Sequence, residues 1–208
     1  MSSRGMRPMQ VPVALAIAGI LVSGCSKPPS SEIEAADAAI QTAMQAGTQE
    51  YAPESIGPMT DLRSELAAEL AVQAEKWAPT RSYDRALDLS LQVKAAAEQA
   101  NTDAAETKET VRMETATLLE EVKVTLQDVQ SMLASAPTGK GTAADLAALG
   151  ADLTSAAATL GEGEAAFAEG RYLEAKTKVL AVQAGTQSVK AAIEAATQAR
   201  GTRRGLES

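Results

Sequence analysis

The chain has 208 residues, with 19 Lys and Arg against 27 Asp and Glu, no His and a single Cys. An acidic balance without a basic surface argues against nucleic acid as a partner. Without His or a second Cys, the commonest general bases, nucleophiles and soft metal ligands are missing, so the composition points to a protein that is not an enzyme and needs no metal or cofactor.

Arg4 and Arg7 form a short basic region, and no acid precedes Glu32. From Val11 to Val22 the chain is apolar apart from small residues and Pro12. A run of about 12 residues is too short to cross about 30 Å of hydrocarbon as a helix, but suits the core of a secretion signal. It ends in Leu21-Val22-Ser23-Gly24-Cys25, which resembles the lipobox of bacterial lipoproteins. That resemblance implies a signal peptide over 1–24, a diacylglyceryl thioether on Cys25, and a further palmitate-type acyl chain on its freed amine. Two or more acyl chains hold a protein stably on a membrane where one does so only reversibly. Ser26 in place of a retaining aspartate implies an outer-membrane anchor facing the periplasm. Removing 1–24 leaves 17 basic and 27 acidic side chains, a formal charge of −10.

Residues 25–31 are expected to be the lipidated Cys and a tether containing Pro28 and Pro29. Ser31 and Glu34 have the spacing of a capping box. Ile33, Ala36, Ile40 and Ala43 continue at helical spacing until Gly47 ends the run. Tyr51-Ala52-Pro53-Glu54 is expected to open the second helix, with Gly57-Pro58 kinking it or delaying its start. Its seam reads Ile56, Met59, Leu66, Leu70 and Trp77, and Pro79 stops it. From Ser82 no Gly or Pro interrupts the chain until Pro137. The first part carries Tyr83, Ala86, Leu87 and Val93; the later part carries Leu119, Val122, Leu126, Val129 and Leu133. A continuous helix there would be about 80 Å long. Its polar middle, Ala100 to Thr110, is read as a solvated bridge between two bundles. Thr142 and Asp145 start the next helix, with Leu146, Leu149, Leu153, Ala156, Leu160, Gly163 and Phe167 in heptad spacing. Gly150, Gly161 and Gly163 weaken it and are read as sites of close packing. Glu169-Gly170-Arg171 reverses the chain into a last helix with Tyr172, Ala175, Val179, Val182, Thr186, Val189, Ile193 and Ala196 on its seam.

The two halves echo each other: Trp77, a turn and Tyr83-Asp-Arg-Ala86 in one; Phe167, a turn and Tyr172-Leu-Glu-Ala175 in the other. The predicted fold is all-α and elongated: antiparallel, coiled-coil-like hairpins in two three-helix bundles, over 31–105 and 106–200, sharing one long central helix, with a tail at 201–208. Glu50-Tyr51-Ala52-Pro53-Glu54 between Ala-rich helices, followed by a turn with Tyr83, resembles a family of small helical bacterial envelope lipoproteins known as a domain of unknown function. The resemblance covers about residues 31–105 and implies a location and a fold, but no catalytic residue. Gly57-Pro58 departs from its unbroken helix.

Glu120-Glu121, Glu162, Glu164 and Glu169 are the densest carboxylates, yet neighbouring helical positions diverge too far to converge on a hard cation. Tyr51, Trp77, Tyr83, Phe167 and Tyr172 all fall near helix ends. They are read first as plugs closing thin Ala-rich bundles, and alternatively as contacts for a partner. The expected function is a membrane-anchored scaffold or adaptor of the cell envelope, with an envelope protein or cell-wall component as partner. The alternative is a holdase or carrier that binds apolar segments or lipid between its helices.

Overall fold

The computed structural model describes residues 27–136 and 143–206; Cys25 and the signal-like segment lie outside them. The described backbone is helical throughout, without a strand. α1 spans Ser30–Gln45, α2 is a single turn at Thr48–Tyr51, and α3 spans Ile56–Glu75 after a 3-10 turn at Pro53–Ser55. A second 3-10 turn, Ala78–Thr80, leads to α4 at Asp84–Ser135, followed by α5 at Ala143–Ala168 and α6 at Tyr172–Leu206.

α4 is the spine. Its 52 residues run without a break, a length of about 78 Å. α1 and α3 pack on its first half; α5 and α6 pack on its second half and on each other. Ala86, Ser90, Val93, Ala97, Ala100 and Ala104 are buried in alternating steps of four and three, the heptad spacing that keeps one seam facing partner helices. Val111, Thr115 and Leu119 then follow in two consecutive steps of four before the alternation resumes through Val122, Leu126 and Val129. Such a stutter lets the seam rotate about the helix axis, and here it falls where the covering helices change.

The two cores differ in bulk. Around the first half, Ala36, Leu66, Tyr83, Ala86, Leu89 and Val93 cluster, flanked by Ile33, Ile40, Leu62 and Leu70. Around the second, Leu119, Val122, Leu126 and Val129 meet Leu153 and Leu160 of α5 and Val179, Val182, Val189 and Ile193 of α6. Small residues let α1 lie close against α4 in the first bundle, whereas branched side chains fill the second. Ion pairs on the surface set the register between helices: Asp37 to Arg63 at 2.6 Å, Lys123 to Glu164 at 2.7 Å and Lys176 to Glu114 at 2.6 Å. Each is half exposed and contributes little to stability.

Several local expectations change. Ser31 bonds Glu32 rather than closing a capping box with Glu34, and α1 starts at Ser30 with no side-chain cap. Tyr51 to Glu54 do not open the second long helix: Tyr51 ends α2, and Gly57 and Pro58 lie inside the first turn of α3. Pro58 is tolerated there because the first N–H groups of a helix have no intrahelical acceptor. Leu87 is partly exposed while Leu89 and Ser90 take the seam. α6 continues to Leu206, so residues 201–206 are helical rather than a tail.

Two glycines with φ of 89° and 80°, Gly47 and Gly170, end α1 and α5. At Gly170 the ends are satisfied as a Schellman pair, Gly170 N–H to the Phe167 carbonyl and Arg171 N–H to that of Ala166. At Gly47 the buried Thr48 hydroxyl donates to the Ala43 carbonyl at 2.6 Å. Of the α5 glycines, only Gly163 marks a tight approach: an added Cβ would sit 3.1 Å from Val179 Cγ2, while Gly161 faces open space. Gly161→Ala should therefore stabilise the protein by about 1 kcal/mol, and Gly163→Ala should give no gain or a loss. Thermal unfolding followed by circular dichroism checks both; equal gains would show that α5 and α6 are not held as closely as described.

Candidate functional site

The aromatic side chains are the chemically distinctive residues of the described chain, and the fold distributes them unequally. Tyr83, at the start of α4, is buried in the first core. Tyr51 and Tyr172 come together at the middle of α4, although 121 positions separate them in sequence. The turn after α1 reaches this point from one side and the α5–α6 turn from the other. Tyr51 and Ala52 pack there on Ala104 and Val111, with Tyr172 against the same cluster. Phe167 stacks on Tyr172 with ring centres 5.2 Å apart and a tilt of 56°, a favoured arrangement for aromatic pairs. Phe167 also touches the second core, so the three rings link that core to the waist.

The middle of α4 is therefore not a bare solvated bridge. Ala100, Ala104 and Val111 carry the seam through it, and the two turns cover them. Ser55 Oγ donates to Asp103 at 3.1 Å, tying the α1–α3 connection to the spine. Lys108 Nζ lies 5.8 Å from the centre of the Tyr51 ring, within cation–π range. The backbone of Tyr172, at the start of α6, favours the ionised form of the Tyr51 phenol, a smaller effect than burial. Burial, with Glu50 nearby, pushes the Tyr51 phenol above its ordinary pKa. A cleft of about 560 Å³ opens beside it, with Glu50, Lys108, Arg171 and Glu174 among its walls.

Trp77 departs from the plug reading. α3 ends at Glu75 and Lys76 turns to extended backbone, so Trp77 leaves the helical seam, which closes instead on buried Gln73. Its indole is 76 % exposed. The halves thus match at Tyr83 and Tyr172 and at the buried Ala86 and Ala175, but not at Trp77 and Phe167.

Most of these carboxylates are paired with cations, within α4 or the α5–α6 turn and across helices. Glu120 and Glu164 both meet Lys123, Glu162 meets Lys178, and Glu169 meets Arg171. Among the described residues no three acidic, Cys or His side chains gather around one point that could hold a metal ion. Lys108 was not singled out by sequence, and Ala100 to Thr110 was read as solvated rather than covered; the heptad spacing of Ala97, Ala100, Ala104 and Val111 was the available signal. Among protein-family models, curated proteins and solved structures, none matches this chain.

If Tyr51 joins the two halves, Tyr51→Ala should cost about 3 kcal/mol of stability. Tyr51→Phe, which keeps the ring and removes the hydroxyl, should cost less, read by chemical denaturation. Because folding raises this phenol's pKa, its contribution is complete below pH about 10 and declines as pH rises further. The stability difference between the native protein and Tyr51→Phe should shift in favour of the variant across that range. An unchanged difference would remove Tyr51 from the buried joint.

Proposed function

We propose that the protein is a lipid-anchored, non-enzymatic scaffold or adaptor of the bacterial cell envelope, held on the outer membrane through Cys25 and facing the periplasm. The observation that carries this reading is the polarity of the rod. α1 begins at one end of α4, beside the α3–α4 turn, and α6 runs parallel to the second half of α4 toward the other end. A chain attached at its N-terminus would therefore hold the C-terminal bundle beyond the first, from about 40 Å to about 80 Å from the attached end. No described helix is long and apolar enough to cross a membrane, so attachment falls to the lipobox-like Leu21 to Cys25. The mature charge of −10 keeps the rod off anionic headgroups, which leaves the distal bundle free for an envelope protein or a cell-wall component. Kinship with the small helical envelope lipoproteins of unknown function belongs to the same proposal.

The carrier alternative finds less support. The groove at Gly185, about 310 Å³, is lined by Asp152, Ser155, Thr159 and Ser188 as much as by apolar groups, and apolar side chains fill the second bundle. Labelled palmitate fed to cells expressing the protein should enter the native chain and not Cys25→Ser, and the mature N-terminal peptide should begin at an acylated Cys25 by mass spectrometry. An envelope-bound protein with an unmodified Cys25 would contradict the anchor.

A further inference from the structure

Trp77 is the one tryptophan of the chain, and its position at the N-terminal end of the rod has a physical use. The turn that carries it is tied down by its neighbours. Arg81 donates to the carbonyls of Ala74 and Lys76, each at 2.9 Å, and Thr80 Oγ1 donates to the Trp77 carbonyl at 2.8 Å. Gln73 Oε1 accepts from the Ser82 N–H at 3.1 Å. Backbone and polar side chains thus hold the turn, while the indole projects outward with Ala78 and Pro79 exposed beside it. An aromatic plate fixed outward on an ordered turn is suited to a boundary between apolar and wet surroundings.

The register of α1 and α3 says which boundary. The Asp37–Arg63 pair aligns the two antiparallel helices, so Ser30 stands level with Leu70. The end of α3 at Glu75 overhangs the start of α1 by about 8 Å, and Trp77 follows it in the turn. Cys25 precedes Pro29 by four positions, which at full extension reach about 14 Å. The tether is thus long enough to bring Cys25 level with Trp77 and too short to hold the turn far from a lipid on that residue. Charge allows the approach, because Glu75 and Asp84 balance Lys76 and Arg81 within the turn, unlike the acidic chain as a whole.

Building on the Cys25 anchor proposed above, we infer that the α3–α4 turn is a membrane-contact face, and that Trp77 enters the headgroup region of the bilayer that holds the lipid. Contact at a second point on the end of the rod, beside the acyl chains, restricts its tilt. The turn therefore sets how the distal bundle is presented.

The test needs no substitution at Trp77, because this indole is the chain's own fluorophore. The lipidated full-length protein is reconstituted into phosphatidylcholine vesicles, with and without bromine near the headgroup end of one acyl chain, and floated. The expected result is flotation, a blue shift of tryptophan emission relative to the protein in detergent-free buffer after lipid removal, and loss of at least half the emission in brominated vesicles. Flotation with unshifted, unquenched emission overturns the contact face and leaves the anchor standing. A blue shift that bromine does not quench means a second copy of the chain covers the indole, and also overturns it. Failure to float overturns the anchor and the contact face together.

Discussion

The whole arrangement depends on one unbroken helix having a seam that must be covered along its entire length. Short helices are marginal in water, and most of their stability comes from packing an apolar face. For a helix as long as α4, any uncovered stretch of the seam would be the weakest point of the rod. α1 and α3 together cover only the first half, and α5 and α6 only the second. What closes the gap is the meeting of two turns, each containing a left-handed glycine that ends the preceding helix, Gly47 and Gly170. Tyr51 and Tyr172 fill the space between them over Ala104 and Val111.

This joint explains the spacing of the seam on either side. With Ala residues at most positions up to Ala104, α1 can lie close against the spine, and the buried Ala36 and Ala43 match that closeness from its own side. Beyond Leu119 the seam is Leu and Val, and it faces Leu, Val and Ile on α5 and α6. The two consecutive steps of four from Val111 to Leu119 let one helix present differently oriented seams to two different pairs of partners. Cross-helix pairs such as Lys123 with Glu164 and Lys176 with Glu114 add register rather than strength.

Much of this was legible in the sequence, and the exceptions have identifiable physical causes. The all-α class followed from composition. The continuous spine followed from the absence of Gly and Pro between Ser82 and Pro137, and the seams of α5 and α6 from their strict spacing. Trp77 was misplaced because its position continues the α3 pattern, whereas the helix has already ended two residues earlier at Glu75. The covered waist was hidden because Ala100, Ala104 and Val111 sit among charged residues, and because Tyr51 and Tyr172 reach them through tertiary contacts that local periodicity does not encode. Ser31 and Glu34 had capping spacing, but Pro29 and Ser30 start the helix before them. The lipobox-like segment lies outside the described residues, and the proposal made for it rests on the chemistry of Cys25 and not on the packing of the rod.

A rod attached at one end, as proposed, with its bulkier bundle at the other, acts as a spacer only if its middle is stiff. Spin labels on Gln92→Cys and Gln127→Cys, both exposed positions of α4 on either side of the waist, in a chain whose Cys25 is acylated or replaced by Ser, measure this directly. A continuous, covered spine predicts one narrow distance distribution near 53 Å, about 1.5 Å per residue over the interval. A broad distribution, or one centred well below that value, would mean that the helix bends or breaks at the waist, and would contradict the single spine on which the fold is built.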